Sequence, residues 1–112
     1  MSDRDGIILR KMIKYTEEAL SYTRGLDFAG FSQNSIVVNA TAFVLGQLGE
    51  LTKQVSQETQ DANPHIYWSG IRGLRNRIVH DYENLDMNRF WDVVCDDLPE
   101  LDTLLKKMLE LD

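Results

Sequence analysis

The residues best suited to chemistry lie in one short string, RNRIVHDY, at residues 75–82. In a helix that turns by about 100° per residue, Arg72, Asn76 and His80 share one polar face, because they stand four residues apart. Arg75 lies at the border of that face, whereas Arg77 points elsewhere. Arginine offers a fixed fork of donors to a phosphate, and histidine is the side chain best suited to moving protons near neutral pH.

These groups match the needs of RNA cleavage by the ribose 2′-hydroxyl. One group must take the 2′-hydroxyl proton, another must protonate the leaving 5′-oxygen, and a cation must hold the charged phosphorane. This route needs neither a metal nor a cofactor, and the sequence offers no cluster of metal ligands. The string supplies a single histidine, His80, so a two-fold dimer that presents the same patch twice would supply both acid and base.

The charge distribution fits a local basic patch on an acidic body. The net charge is −6, which argues against a general nucleic-acid binder. Residues 1–61 carry −2 and residues 83–112 carry −6, whereas residues 62–82 carry +2. The only net-positive segment therefore contains the RNRIVHDY string.

Other chemically active residues have simpler explanations. On spacing alone, a solvated polar helix face explains Arg72, Asn76 and His80 more often than a catalytic site does. His65 is expected to be a surface residue rather than a second catalytic histidine, and Glu50 to pair with a neighbour on its helix. Three further features have equally simple explanations: Asp92, Asp96 and Asp97 as a solvated face, Cys95 as a buried thiol, and Trp68 and Trp91 as core or interface anchors.

Helical periodicity runs through the first half of the chain. The first predicted helix starts near Asp3 or Asp5 as its cap and stops at Gly25. The second is predicted over Ser32–Gln57 and should be the longest element, with one apolar stripe from Ile36 to Leu51.

The second half continues the helical pattern. Asn63 and Pro64 predict the cap and first position of a third helix that runs to Tyr82. A turn at 83–86 follows, with Asp86 as the next cap, and Pro99 should kink or split the last stretch and leave a terminal helix over Leu101–Leu111. The 112 residues thus predict a single all-α domain, an antiparallel bundle of four to five helices. No run suits a membrane span or a signal peptide, so we expect a cytoplasmic protein.

A family resemblance rests on a longer pattern. Arg75, His80 and Tyr82 form Arg-x4-His-x-Tyr, and the surrounding string 64–82 resembles the HepT-like branch of the HEPN superfamily. The similarity extends to Leu-Gly-Glu at 48–50 and to Phe-Trp-Asp…Asp-Leu-Pro within 90–99, so it covers most of the chain. One departure is Tyr67, which stands where family members often have proline.

The resemblance implies a helical homodimer with the motif at the subunit cleft, acting as a metal-independent endoribonuclease. It further implies the toxin of a toxin–antitoxin pair, whose partner is a minimal nucleotidyltransferase antitoxin. Arg75 and His80 would be catalytic, Asn76 and Arg72 supporting, and Tyr82 the tyrosine that the partner modifies with AMP. The alternative is a non-catalytic helical module that binds a nucleotidyltransferase or a nucleotide. A purely structural helical protein is a third possibility, but it leaves the polar face unexplained.

Overall fold

Helices form every regular element in the part of the chain that this computed structural model describes, residues 1–78 and 86–110. They are α1 (Asp3–Thr23), α2 (Phe28–Ser32), α3 (Ser35–Gln54), α4 (Gln57–Ala62), α5 (Trp68–Arg72), α6 (Leu74–Ile78), α7 (Met87–Asp92) and α8 (Leu98–Glu110). A π-helical turn, Val93–Asp97, joins α7 to α8. Helix α1 packs along both α3 and α8, while α5 and α6 pack on α3. The predicted all-α class is confirmed.

Helix α1 begins and ends at residues that favour those positions. Its cap is Ser2, whose hydroxyl oxygen accepts the backbone N–H of Asp5 at 3.1 Å, so the predicted caps Asp3 and Asp5 were wrong. Asp5 instead points inward toward the start of α4. Gly25 follows the helix with a φ of +79°, a conformation that glycine adopts without strain, so the predicted stop is confirmed.

Helix α3 is shorter than predicted and is not the longest element. It has 20 residues and α1 has 21. The side chain of Asn34 accepts the backbone N–H of Val37 at 3.2 Å and fixes the start of α3. At the other end Val55 is extended, and Ser56 caps the separate helix α4. The Ser32–Gln57 prediction therefore merged α3 with the neighbouring turns.

The third predicted helix starts four residues late and is interrupted. Asn63 ends α4 instead of capping a helix at Pro64. Its carbonyl oxygen accepts the backbone N–H of Ile66 at 3.2 Å and the indole N–H of Trp68 at 3.0 Å. These bonds hold the chain in a turn until α5 starts at Trp68. Gly73, at φ −92° and ψ 4°, then separates α5 from α6.

A side-chain cap fixes the start of α7, and the π-helical turn fixes the start of α8. Asp86 accepts the backbone N–H of Arg89 at 3.1 Å, which confirms it as the cap of α7. Pro99 does not split the last helix, because it is the second residue of α8. The terminal helix therefore begins at Leu98 rather than Leu101. The backbone N–H of Leu98 bonds the carbonyl of Val93, five residues back, and this wider turn accommodates the proline ring. The predicted turn at 83–85 and Leu111 lie outside the described residues.

The core lies between α1, α3 and the C-terminal helices. Phe31 is fully buried and meets Phe90 edge-on, with ring centroids 5.0 Å apart. Trp68 is buried and Trp91 packs on Phe31, so both tryptophans are anchors, as predicted. Within residues 1–78 and 86–110, no helix combines the length and the apolarity that crossing a membrane requires.

Candidate functional site

Helices α5 and α6 approach α3 closely because two glycines leave room for them. A Cβ atom at Gly49 would stand 3.1 Å from the carbonyl oxygen of Arg72 and 3.4 Å from that of Ile71. That separation is tighter than an ordinary van der Waals contact, and a backbone cannot yield as a side-chain tip can. Gly49 therefore sets the distance between α3 and the start of the motif region.

Gly46, one turn earlier on α3, does the same for a side chain. A Cβ atom there would stand 3.1 Å from Cδ of Arg75 and 3.8 Å from its Nε. The aliphatic stem of Arg75 thus lies across α3 at this glycine, while the residue as a whole remains exposed. The arrangement holds the stem and leaves the guanidinium able to meet a ligand. Gly46 was not among the predicted site residues, although a glycine inside an apolar helix signals a close approach.

Arg72 is held by a different partner. Its Nη1 donates to Oε1 of Gln60 at 2.9 Å. The Gln60 side chain is itself fixed, because its Nε2 donates to the carbonyl oxygen of Val55 at 3.0 Å and that of Thr52 at 3.5 Å. Gln60 is buried, so this short chain of bonds ties Arg72 to the α3–α4 corner.

The predicted helical face is therefore divided between two short helices. Arg72 lies on α5 toward α4, whereas Arg75 lies on α6 toward α3, and Gly73 separates the two helices. Asn76 is exposed on α6. The structure places Arg72, Arg75 and Asn76 on the surface of the same region, but one continuous helix does not align them. His80 and Tyr82 lie outside the described residues.

A backbone hydrogen bond joins the end of α6 to the residue that caps α7. The N–H of Asp86 donates to the carbonyl oxygen of Ile78 at 3.1 Å, so the end of α6 and the cap of α7 are adjacent. Helix α6, which carries Arg75, therefore ends directly beside the start of α7.

An exposed apolar stripe runs along α3 toward Gly46. It consists of the exposed Ile36 and Phe43 with the half-buried Ala40 between them, and the three share one side of the helix at spacings of four and three. Ile36 is 80% exposed and Phe43 is 63% exposed. The sequence pattern assigned these residues to the same stripe as the buried Val44 and Leu48, so their exposure is a correction. We call this surface the α3 stripe.

The remaining candidates behave as ordinary surface groups. His65 is exposed, and Glu50 pairs with Lys53 at 3.0 Å, as predicted for that carboxylate. Among the described residues, no three His, Cys, Asp or Glu side chains gather as a metal site. Cys95 is exposed, not buried as predicted, and the pKa of its thiol is raised by partial burial and by neighbouring carboxylates. A raised pKa opposes thiolate formation, so Cys95 is a poor nucleophile.

Comparisons with known proteins agree on one family. The family model described as ribonuclease HepT-like matches residues 12–108. A protein of Methanocaldococcus jannaschii, named provisionally as an RNase, is 26% identical over 112 residues and covers 99% of both chains. A protein of Caldanaerobacter subterraneus subsp. tengcongensis with a similar provisional name is 22% identical over 91% of both chains.

A third relative carries the family's name. This protein of Thermococcus cleftensis, provisionally named ribonuclease HepT, is 25% identical over 87 residues, which is 78% of this chain and 79% of its own. No solved structure matches the chain.

Proposed function

Since the chain belongs to the HepT-like ribonuclease family, we propose that it is a metal-independent endoribonuclease with Arg75 and His80 as its catalytic residues. The observation that carries this proposal is the placement of Arg75. Its stem is held across Gly46 while the residue stays exposed, so its charged fork is directed by the fold yet open to a phosphate. Such preorganised cations stabilise charge that develops in a transition state.

The proposed reaction is an internal displacement at phosphorus. A base takes the proton of the ribose 2′-hydroxyl, and the 2′-oxygen forms a bond to phosphorus. The bond from phosphorus to the 5′-oxygen breaks, and an acid gives that oxygen a proton. The products are a 2′,3′-cyclic phosphate and a free 5′-hydroxyl. Arg75 holds the charged phosphorane and His80 moves a proton. Asn76 and Arg72 contact the neighbouring phosphates of the RNA backbone.

We assign the second proton-transfer group to a second copy of the chain. The α3 stripe supports this assignment, because its exposed Phe43 lies one helical turn from Gly46, where Arg75 lies. An exposed apolar surface next to a charged site is typical of a subunit interface. Pairing two α3 stripes about a two-fold axis would bring two copies of Arg75 to one groove.

Control of the activity is assigned to Tyr82. In this proposal the protein is the toxin of a toxin–antitoxin pair in the cytoplasm, and a minimal nucleotidyltransferase is the antitoxin. The tyrosine oxygen attacks the α-phosphate of ATP, pyrophosphate leaves, and AMP remains on Tyr82. The added negative charge lies close in sequence to Arg75 and would compete with an RNA phosphate for that cation.

The test is RNA cleavage by the purified protein in excess chelator. We expect cleavage with 2′,3′-cyclic phosphate ends, and a loss of about 10²–10⁴-fold for His80→Ala. Arg75→Ala should lose comparable activity, whereas Arg24→Ala, which removes an exposed arginine after α1, should cleave like the parent. Cleavage that requires magnesium contradicts the mechanism. A folded dimer that binds RNA or a nucleotidyltransferase and never cleaves RNA supports the non-catalytic module instead.

A further inference from the structure

Tyr67 presents an aromatic ring to solvent in an unusual way. The residue precedes α5 and is 71% exposed, yet its ring rests on the backbone of Gly70. A Cβ atom at Gly70 would stand 2.6 Å from Cε2 and 3.0 Å from Cγ of that ring. The ring is therefore seated where only glycine permits it, with most of its surface uncovered.

Two cavities meet at this ring. One, of about 320 Å³, lies between α5–α6 and the start of α8, and its polar groups are His65, Arg77, Asp97 and Glu100. The other, of about 340 Å³, lies toward α4, and its lining includes Arg72. Tyr67 lines both cavities, so it forms a ridge with one arginine on either side.

The other large aromatic side chains of this region are already occupied. Trp68 is buried and its indole N–H is bonded to Asn63. The ring of Trp91 packs on Phe31 at a centroid distance of 5.1 Å. Of the tyrosine and tryptophan side chains that line these two cavities, Tyr67 is thus the one whose ring remains open.

We propose that Tyr67 is the platform on which an unpaired base of a single-stranded RNA stacks, with Arg72 and Arg77 holding phosphates on its two sides. This inference rests on the proposed function and names the form of RNA that the site takes. Proteins that bind single strands combine an exposed aromatic ring with flanking cations. Asp97 and Glu100 line the Arg77 cavity as well; they repel phosphate and accept hydrogen bonds from base amino groups, which confines the phosphate to the arginine side.

The test measures binding without cleavage. In a His80→Ala background, the dissociation constant for a short single-stranded RNA is measured by fluorescence anisotropy. Tyr67→Ala should weaken binding by about 5- to 150-fold, the range found when one base–aromatic stack is removed. Tyr67→Phe keeps the ring and should bind within about 2-fold of the parent. Tyr22→Ala, which removes a partly exposed tyrosine of α1, is the matched control and should have no effect.

Two further measurements separate the explanations. Gly70→Ala should weaken single-strand binding in the same way, because the added methyl group displaces the ring. Fully paired RNA offers no free base, so Tyr67→Ala should bind it as the parent does. Single-strand binding that is unchanged in Tyr67→Ala overturns the inference, as does a parent that binds no single strand. Should Tyr67→Ala impair only capture of a nucleotidyltransferase, the ridge is a protein-docking surface and the inference is wrong.

This inference and the proposed function fail separately. If Tyr67→Ala loses binding but the parent never cleaves RNA, the platform stands and the ribonuclease proposal fails. If the parent cleaves RNA and Tyr67→Ala binds and cleaves equally well, the ribonuclease proposal stands and the platform fails.

Discussion

The side chain of Arg75 crosses α3 at Gly46, with Cδ so near that a methyl group on the glycine would stand 3.1 Å away. The catalytic arginine of the proposed mechanism is thus directed by a residue 29 positions earlier, on another helix. Gly46 lies outside the RNRIVHDY string. It acts by having no side chain, which leaves room for the stem of Arg75.

Gly46→Ala should therefore separate stability from activity. Replacing a helical glycine by alanine raises stability by about 0.5–1 kcal/mol where the space allows it. Here the methyl group should push the Arg75 stem aside, and a misplacement of about 1 Å can cost about 10²-fold in rate. Urea unfolding and RNA cleavage measure the two effects. Gly6→Ala is the matched control, because its methyl group would meet only the flexible end of Arg10 at 3.4 Å. Equal cleavage by Gly46→Ala and the parent would show that Arg75 is not positioned in this way.

Arg72→Ala tests the supporting arginine. Its guanidinium is tied to Gln60 at 2.9 Å and is proposed to hold a backbone phosphate. We expect the variant to bind every RNA sequence more weakly. The slope of the logarithm of the binding constant against the logarithm of the salt concentration should fall in magnitude by about 1, because one fewer counterion is released. Arg24→Ala should keep the parental slope. A parental slope in Arg72→Ala means that this arginine only supports the fold.

Phe43→Asp tests the proposed dimer. A carboxylate buried at the Gly46 end of the α3 stripe would oppose pairing of two apolar surfaces. Sedimentation at micromolar concentration should show a dimer for the parent and a monomer for the variant, and cleavage should be lost with the dimer. Ile7→Asp places the same charge at an exposed apolar residue of α1 and should leave both properties intact. A parental monomer that cuts RNA contradicts the shared site.

Tyr82→Phe tests the proposed control by AMP. Co-expression with a cognate nucleotidyltransferase should raise the mass of the parent by one or more AMP units and silence cleavage. The variant lacks the acceptor hydroxyl, so it should remain unmodified and toxic. Mass spectrometry and a growth assay report the two outcomes. If the partner neutralises the variant as well as the parent, tight binding and not modification is the antidote.

Asp5→Asn tests a buried clamp between α1 and α4. The Asp5 carboxylate is 1% exposed and accepts the hydroxyls of Ser56 at 2.5 Å and Thr59 at 2.6 Å. Burial alone would raise its pKa, but these bonds, with the Ser56 backbone N–H, hold that pKa below its ordinary value of 3.8. We expect the variant to lose about 2–3 kcal/mol in urea unfolding at pH 7, because bonds to a charged group are lost.

The pH dependence of this loss has a definite sign. The pKa of Asp5 is lower in the folded state than in the unfolded state. Its contribution to the free energy of unfolding is therefore fully present above the unfolded-state pKa and disappears as the pH falls through the folded-state pKa. The stability difference between the parent and Asp5→Asn should therefore narrow below about pH 3.8. A difference that stays constant on acidification would mean that the charge of Asp5 is immaterial.

Local signals in the sequence predicted local structure well. The Asp86 cap and the Gly25 stop are confirmed, because each depends on the conformation or the hydrogen bonding of a few adjacent residues. The predicted start at Pro64 failed because Asn63 already ends α4: its side-chain Nδ2 donates to the carbonyl oxygen of Thr59 at 2.9 Å, and its own carbonyl accepts the indole N–H of Trp68.

Exposure was harder to predict than helicity. A period of 3.6 residues shows that one side of α3 is apolar, but it does not show which part of that side another helix covers. Ile36 and Phe43 are consequently exposed although they share the pattern of buried neighbours. The π turn has a related effect at Cys95, since its extra residue shifts the register of the helix and the thiol faces outward.

The hydrogen bond between Asp86 and Ile78 has a consequence for how the family can diversify. It closes a ring of the chain between the last residue of α6 and the residue that caps α7. The entropy of closing such a ring grows slowly with its length, by about 0.6 kcal/mol per doubling. A connection of another length between α6 and α7 would therefore cost the fold little, provided that this hydrogen bond is kept.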